Sequence, residues 1–177
     1  PLVAFLDADM IPRREFLTPI VPYFFLPSVK TNEAGEWVAR RPEEIDPKYK
    51  VGFLQTPQNF YNPDLFQYNL YAEDRIPNEQ IYFFREINVS RNRANAALLC
   101  GSNMIISREA LAEVGNFATN NITEDNETGI RIQTAGYTTY ALDTCVANGL
   151  NPPAVSNLII QRERWGRGCR QTFHNIK

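Results

Sequence analysis

Three short groups of residues have the types and spacing to do chemistry. Asp7-Ala8-Asp9 follows directly on the apolar run LVAFL at 2–6. Two carboxylates at the end of a strand offer hard oxygen ligands for Mg²⁺ or Mn²⁺, which is typically held by one or two carboxylates and bridges to substrate phosphates. The same residues also suit a simple turn or helix cap. Thr123-Glu124-Asp125 has the punctuation of a helix start, with Thr123 as N-cap and acids in the first turn. There the helix dipole keeps a carboxylate ionised, and an ionised aspartate can take a proton from a hydroxyl. Gln161, Arg164, Trp165, Gly168 and Cys169 stand at helical spacing and share one face. An arginine fork suits phosphate oxygens, and an indole offers a flat apolar surface to a sugar ring or a base. A solvated basic helix with one packed tryptophan is the plain alternative.

The elements that must position these groups follow from apolar patterning. The run at 2–6 reads as a strand covered on both faces, and VGFLQT at 51–56 as a second strand. ALLCGSNMIIS at 97–107 reads as a strand pair, or one strand kinked at Gly101, and YTTYALD at 137–143 as a further strand. Helices are expected over 13–26 (broken by prolines), from Asn62-Pro63 onward, in REALAEVG closed by Gly115, over 123–136 ending at Gly136, and from Asn151 to the end. Residues 30–48, polar with Gly35, Pro42 and Pro47, read as an exposed loop. Strands alternating with helices indicate an α/β domain.

The totals narrow the chemistry. A chain of 177 residues is enough for one domain with a sizeable core. Its 18 basic against 20 acidic side chains, net charge −2, argue against a general nucleic-acid binder. Three widely spaced cysteines (Cys100, Cys145, Cys169) form no metal-ligand pattern and read as reduced thiols. The single histidine, His174, rules out a multi-histidine metal site and reads as a polar helix-end residue. The apolar stretch at 16–27 is far shorter than a membrane span and carries Pro19, Pro22 and Pro27, so the chain as given is expected to be soluble. It opens inside a core-strand pattern, which points to a piece of a longer protein.

An Asp-x-Asp, a Thr-Glu-Asp and a Gln-Arg-x-Arg-Trp, in that order, resemble the processive family 2 glycosyltransferases, and within them the bacterial cellulose synthase branch. FLQTPQNFYNPDLFQYNL at 53–70 and ALLCGSNMIISREALAEVGNF at 97–117 extend the resemblance, with Leu98-Leu99 where that family has two phenylalanines. Nearly the whole chain is covered except 30–48, which looks like an insertion. The resemblance implies the C-terminal part of a GT-A-type domain, a mixed sheet flanked by helices, with the N-terminal nucleotide-binding half missing. It implies Asp9, with Asp7, at a Mg²⁺ or Mn²⁺ and nucleotide-diphosphate site, and Asp125 as general base. Gln161, Arg162, Arg164 and Trp165 would hold the diphosphate and the acceptor end, with Trp165 beneath the acceptor sugar. Cys100, Gly101 and Ser102 would line the acceptor side, and Thr123 and Glu124 would belong to the substrate site.

The implied activity is inverting, metal-dependent transfer of a hexose from a nucleotide-diphosphate sugar, UDP-glucose first, to a growing β-glucan such as cellulose. Chitin, hyaluronan or mannan synthesis and a non-catalytic nucleotide-sugar-binding fragment are the alternatives. The longer protein would sit in the inner membrane with this domain on the cytoplasmic face. The piece alone is expected to be inactive, with an uncovered sheet edge at 2–6 open to dimerisation and no nucleic-acid partner.

Overall fold

A computed structural model of the protein describes residues 1–176. Its centre is a four-stranded mixed sheet in the order β1 (Leu2–Phe5), β7 (Met104–Ser107), β5 (Val51–Gln55), β8 (Thr138–Ala141). β7 runs antiparallel to both neighbours, whereas β5 and β8 are parallel. The C-terminal ends of β1, β5 and β8 therefore lie on one edge beside the start of β7. Side-chain alternation splits the core in two. Phe53, Met104 and Ile106 face one side with Leu99 and Ile132, and Leu54 and Ile105 face the other with Phe16, Ile20 and Leu142. Every residue of β5 is buried, as its unbroken apolar run requires.

β1 departs from the expectation of a strand covered on both faces. It forms the sheet's edge, only half-buried, with Ala4 exposed. It pairs with β7 on its inner side, Phe5 packs on one half of the core and Leu2 on the other, and among the described residues no strand pairs with its outer side.

A second, three-stranded sheet joins β2 (Ile11–Pro12), β9 (Ala147–Gly149) and β6 (Asn59–Phe60). It anchors the chain just after Asp9, so the Asp7–Asp9 turn is held by β1 on one side and β2 on the other. The region 13–26 gives turns and then a 3₁₀ stretch, Val21–Ser28, rather than an α-helix; its spaced prolines remove the N–H donors a regular helix needs. The loop expected over 30–48 contains an antiparallel hairpin, β3 (Val29–Thr31) with β4 (Trp37–Ala39), followed by a 3₁₀ turn at Pro42–Glu44. Asn32 closes it by accepting the N–H groups of Ala34 and Glu36 through its side chain.

The helices are α1 (Leu65–Asn69), α2 (Glu79–Tyr82), α3 (Arg108–Glu113), α4 (Glu124–Thr134) and α5 (Val155–Asn175). α2 passes directly into a π-helical turn, Phe83–Asn88. The two Asn-Pro signals read as helix starts serve another purpose. Asn151 N–H donates to Asn62 Oδ1 (2.7 Å) and Asn151 Nδ2 to the Asn62 carbonyl (2.8 Å), so the two asparagines clasp two loops together. The cap of α1 is instead Asp64, which accepts from Phe66 and Gln67 N–H groups and, 15 residues on, from Glu79 N–H. Asp64→Ala strands these buried donors and is expected to lower the unfolding free energy by about 1–3 kcal/mol, read as a lower denaturant midpoint. Among the described residues, no helix is long and apolar enough to cross a membrane.

Candidate active site

The site is built on the turn that leads into β7 and is tied to the end of β5. Gln55, the last residue of β5, is polar yet fully buried. Its Oε1 accepts the Cys100 N–H (2.7 Å) and its Nε2 donates to the Ser102 carbonyl (2.7 Å). Both bonds fix Cys100-Gly101-Ser102 as a tight turn, and Gly101 takes φ +78°, which favours glycine. Asn103, also fully buried, donates to the Pro57 carbonyl and continues the tie.

Two aspartates meet this turn at successive residues. The Asp7 backbone N–H donates to Ser102 Oγ (2.8 Å). A Cβ placed on Gly101 would lie 2.9 Å from Asp125 Oδ2. Thus residues separated by more than a hundred positions are brought to one dipeptide. Asp125 is half-buried at the start of α4 and accepts the Asn126 N–H. Burial dominates its electrostatics and, with Glu124 adding repulsion, pushes its carboxyl up to about 6, against the Asn126 hydrogen bond and Arg164. The helix start is thus not the main influence on it; burial is. It remains mostly ionised at neutral pH and is better matched to proton transfer there.

Asp7 and Asp9 occupy an exposed turn. Loss of solvation raises the Asp7 carboxyl, Asp9 raises it further, Arg164 opposes and Glu124 adds to it. Arg164 and Glu124 therefore act on both Asp7 and Asp125, which places the four charges in one field. Among the described residues no group of three or more His, Cys, Asp or Glu side chains has metal-binding geometry. The Asp7–Asp9 pair nevertheless fits a divalent cation completed by substrate phosphates, because a cation relieves the crowding of like charge that raises Asp7.

Asp125 opens into a cleft of about 460 Å³, shared with Thr123, Cys100, Arg162, Trp165 and Cys169. Its far wall is apolar, from Phe83, Phe84 and Leu98, with Gln58, Glu79 and Gln80 between. Asp7, Asp9, Glu124 and Arg164 do not line it. Ser102 does not line it either; it is fully buried and spends its hydroxyl on Asp7 and Asn103. Cys100 presents its backbone to Gln55 and Gln58, and burial, with Asp125 next, pushes its thiol well up.

The two arginines of α5 differ. The Arg162 guanidinium lies 4.3 Å from the Trp165 ring centroid and pairs with Glu79. Burial lowers its proton affinity. Arg164 is exposed, with no ion-pair partner among the described residues, and faces the carboxylates. Gln161 has its Oε1 buried with no hydrogen-bond partner among them. Thr123 sits at the N-cap position of α4 but makes no cap bond. Its hydroxyl turns to Asn121 Oδ1 (3.3 Å), and a Cβ on Gly168 would strike its side chain. Close approach of α5 wins over the local cap.

Sequence reading missed Gln55, Glu79, Phe83 and Asn121. A polar residue closing the otherwise apolar β5 run was the available signal for Gln55; the other three have none, since only tertiary packing brings them here.

Comparison with known proteins bears on this arrangement. The family model described as Glycosyl transferase family group 2 matches residues 2–177. The chain is 36% identical over 171 residues to the cellulose synthase catalytic subunit [UDP-forming] of Komagataeibacter sucrofermentans, covering 97% of this chain and 20% of that protein. It is 34% identical over 171 residues to the subunit of the same name from Pseudomonas fluorescens, with the same coverage, 97% and 20%. The chain thus spans about a fifth of the length of these relatives. A solved mannosyltransferase from Pyrobaculum calidifontis, in complex with GDP-Man and Mn²⁺, superposes with a TM-score of 0.61 at 18% identity, over 99% of this chain and 39% of that one. The last likeness is one of fold, of GT-A type.

Proposed function

This chain belongs to glycosyl transferase family group 2, and we propose from that premise that its cleft performs inverting transfer of a hexose from a nucleotide-diphosphate sugar to the end of a β-glucan. The donor class rests on the relatives, whose names say UDP-forming cellulose synthase; UDP-glucose and a cellulose-like product are the first choice. The whole protein would work as a membrane-associated synthase, with this domain on the cytoplasmic face and residues 30–48 as an excursion outside the catalytic fold. Metal use draws support from the Mn²⁺ in the mannosyltransferase complex and from the crowding of Asp7 by Asp9.

One observation carries the reading: Asp125, poised near neutrality, and the turn that bears Asp7 and Asp9 are both brought to the Gly101-Ser102 dipeptide. A base and a diphosphate site beside one turn are what a single displacement needs. The acceptor hydroxyl oxygen forms a bond to the anomeric carbon while the bond from that carbon to the diphosphate oxygen breaks. The hydroxyl proton passes to Asp125, and the nucleoside diphosphate leaves with the bonding pair. One displacement inverts the anomeric centre. A divalent cation held by Asp9 and Asp7 would supply neutralising charge on the departing diphosphate. Arg164, free and facing the same carboxylates, takes the diphosphate oxygens. Arg162 is tied to Glu79 and covers one face of Trp165, so its part is to hold the indole for the acceptor sugar.

The test is an assay of the complete enzyme with UDP-glucose, UDP-N-acetylglucosamine, UDP-glucuronate and GDP-mannose, each with Mg²⁺ or Mn²⁺. Polymer from UDP-glucose that β-glucanase digests is expected. Polymer from another donor alone transfers the reading to that synthase type, and no polymer from any of them sinks it. In the same assay Trp165→Ala is expected to raise the acceptor KM about 10–100-fold with the donor KM unchanged.

A further inference from the structure

Glu127 is fully buried on α4, two residues beyond Asp125, and takes no part in the mechanism above. Its carboxylate accepts from groups in three places. Asn121 Nδ2 donates to Oε2 (2.7 Å) from the loop ahead of α4, and Asn175 Nδ2 donates to the same oxygen (2.8 Å) from the end of α5. Arg131, one turn on along α4, pairs with Oε1. Burial alone would raise its proton affinity; the donors from Asn175, Asn121 and Arg131 reverse this and hold it ionised.

The network continues from Glu127 into the site. Asn121 also donates to Thr172 Oγ1 (2.7 Å), and its Oδ1 accepts the Thr123 N–H (3.0 Å). Gln171 Oε1 accepts the Ile122 N–H (3.1 Å). Gly168, Gln171 and Thr172 thus grip the loop 121–123 along the last two turns of α5, and Asn175 reaches Glu127 itself. Trp165 and Arg164 lie on the next turn of that helix, and Asp125 follows that loop. The buried carboxylate and its asparagines thus join the Gln171 and Gly168 contacts in setting the position of α5 relative to Asp125.

We propose that Glu127 is a positioning residue: by binding Asn121 and Asn175 together it clamps α5 against the start of α4 and so fixes Trp165 and Arg164 relative to Asp125. This rests on the reading of Asp125 as the base. Cost and geometry favour a dedicated device, because a misplacement of about 1 Å at reacting groups can lower rates about 10²-fold. An ionised carboxylate in a closed core is also expensive unless hydrogen bonds compensate it, and here three donors do.

Loosening the clamp readmits water to the cleft. Charged and titratable groups facing Asp125 are Glu124 from α4, Arg162, Arg164 and Cys169 from α5, Cys100 from the turn and Glu79 from α2. Glu127→Gln removes a negative charge from the same helix, which also lowers the Asp125 carboxyl, so Asn175→Ala, which keeps every charge, is the variant whose shift reports solvation. In the complete enzyme, Glu127→Gln is expected to lower kcat about 10–100-fold with donor KM unchanged, and to move the acid limb of the pH–rate profile down by at least about half a unit. Asn175→Ala, which keeps the carboxylate and removes one donor, should move the limb in the same direction by less, and stands in if Glu127→Gln does not fold. An acid limb that stays or rises, with rate falling only in step with the folded fraction, overturns the positioning role while leaving the base assignment intact. Full activity of Asp125→Asn, run alongside, overturns both.

Discussion

Asp125→Asn is expected to lower the transfer rate about 10²–10⁴-fold, the usual contribution of a general base, while nucleotide binding and the fold persist. Asparagine keeps the size and the acceptor that takes the Asn126 N–H, so geometry is preserved and only the proton acceptor is lost. The wild-type rate should carry the titration of this group. Its carboxyl sits at about 6, so the rate falls about tenfold per unit as pH drops below that value. The variant's residual rate should lose that limb. Stability runs the opposite way. A carboxyl raised by burial contributes stability that is present below pH 4 and lost as pH rises through about 6. The asparagine variant is therefore expected to be more stable than the native protein at pH 7, by about 1–2 kcal/mol after allowance for partial exposure. A variant that is less stable at pH 7, or that keeps an acid limb near 6, would show that burial of Asp125 has been misread.

Gly101→Ala is the second large effect, about 10²-fold on kcat. Two penalties coincide at this residue. Its φ of +78° disfavours any side chain, by about 1–2 kcal/mol, and its new Cβ would stand 2.9 Å from Asp125 Oδ2. Relief requires Asp125 to swing away or the turn to tilt, and the turn also carries the Ser102 hydroxyl that binds Asp7. Gly115→Ala separates the two penalties. Gly115 has φ +82° but nothing within 4 Å of an added Cβ. It should lose comparable stability and retain activity. Equal activity loss in the two variants would mean that backbone strain, not the approach to Asp125, governs the result.

Much of the fold was legible because local rules and tertiary demands agree where the chain is most apolar. The all-buried β5, the α4 helix with its first-turn acids and terminal Gly136, and the long α5 were each marked by unbroken runs or clear punctuation. Reading failed where polar side chains found distant partners. Asn62 and Asn151 have the look of helix caps and bond each other instead. Thr123 leaves its cap for Asn121 because Gly168 presses against it. The hairpin at 29–39 was hidden in a segment with no apolar alternation to reveal it.

The candidate site divides along the same line. Sequence by itself determined which groups are available: a paired aspartate after a strand, an aspartate at a helix start, and two arginines and a tryptophan on one helix, in an order that resembles one family. Tertiary structure alone decided their separate tasks. It made Arg164 free and Arg162 a brace on Trp165, buried Ser102 beneath Asp7, and raised Asp125 toward neutrality. The physical reason is that residue type fixes what a side chain can donate, accept or ionise, whereas its partner and its solvation depend on which distant segment packs against it.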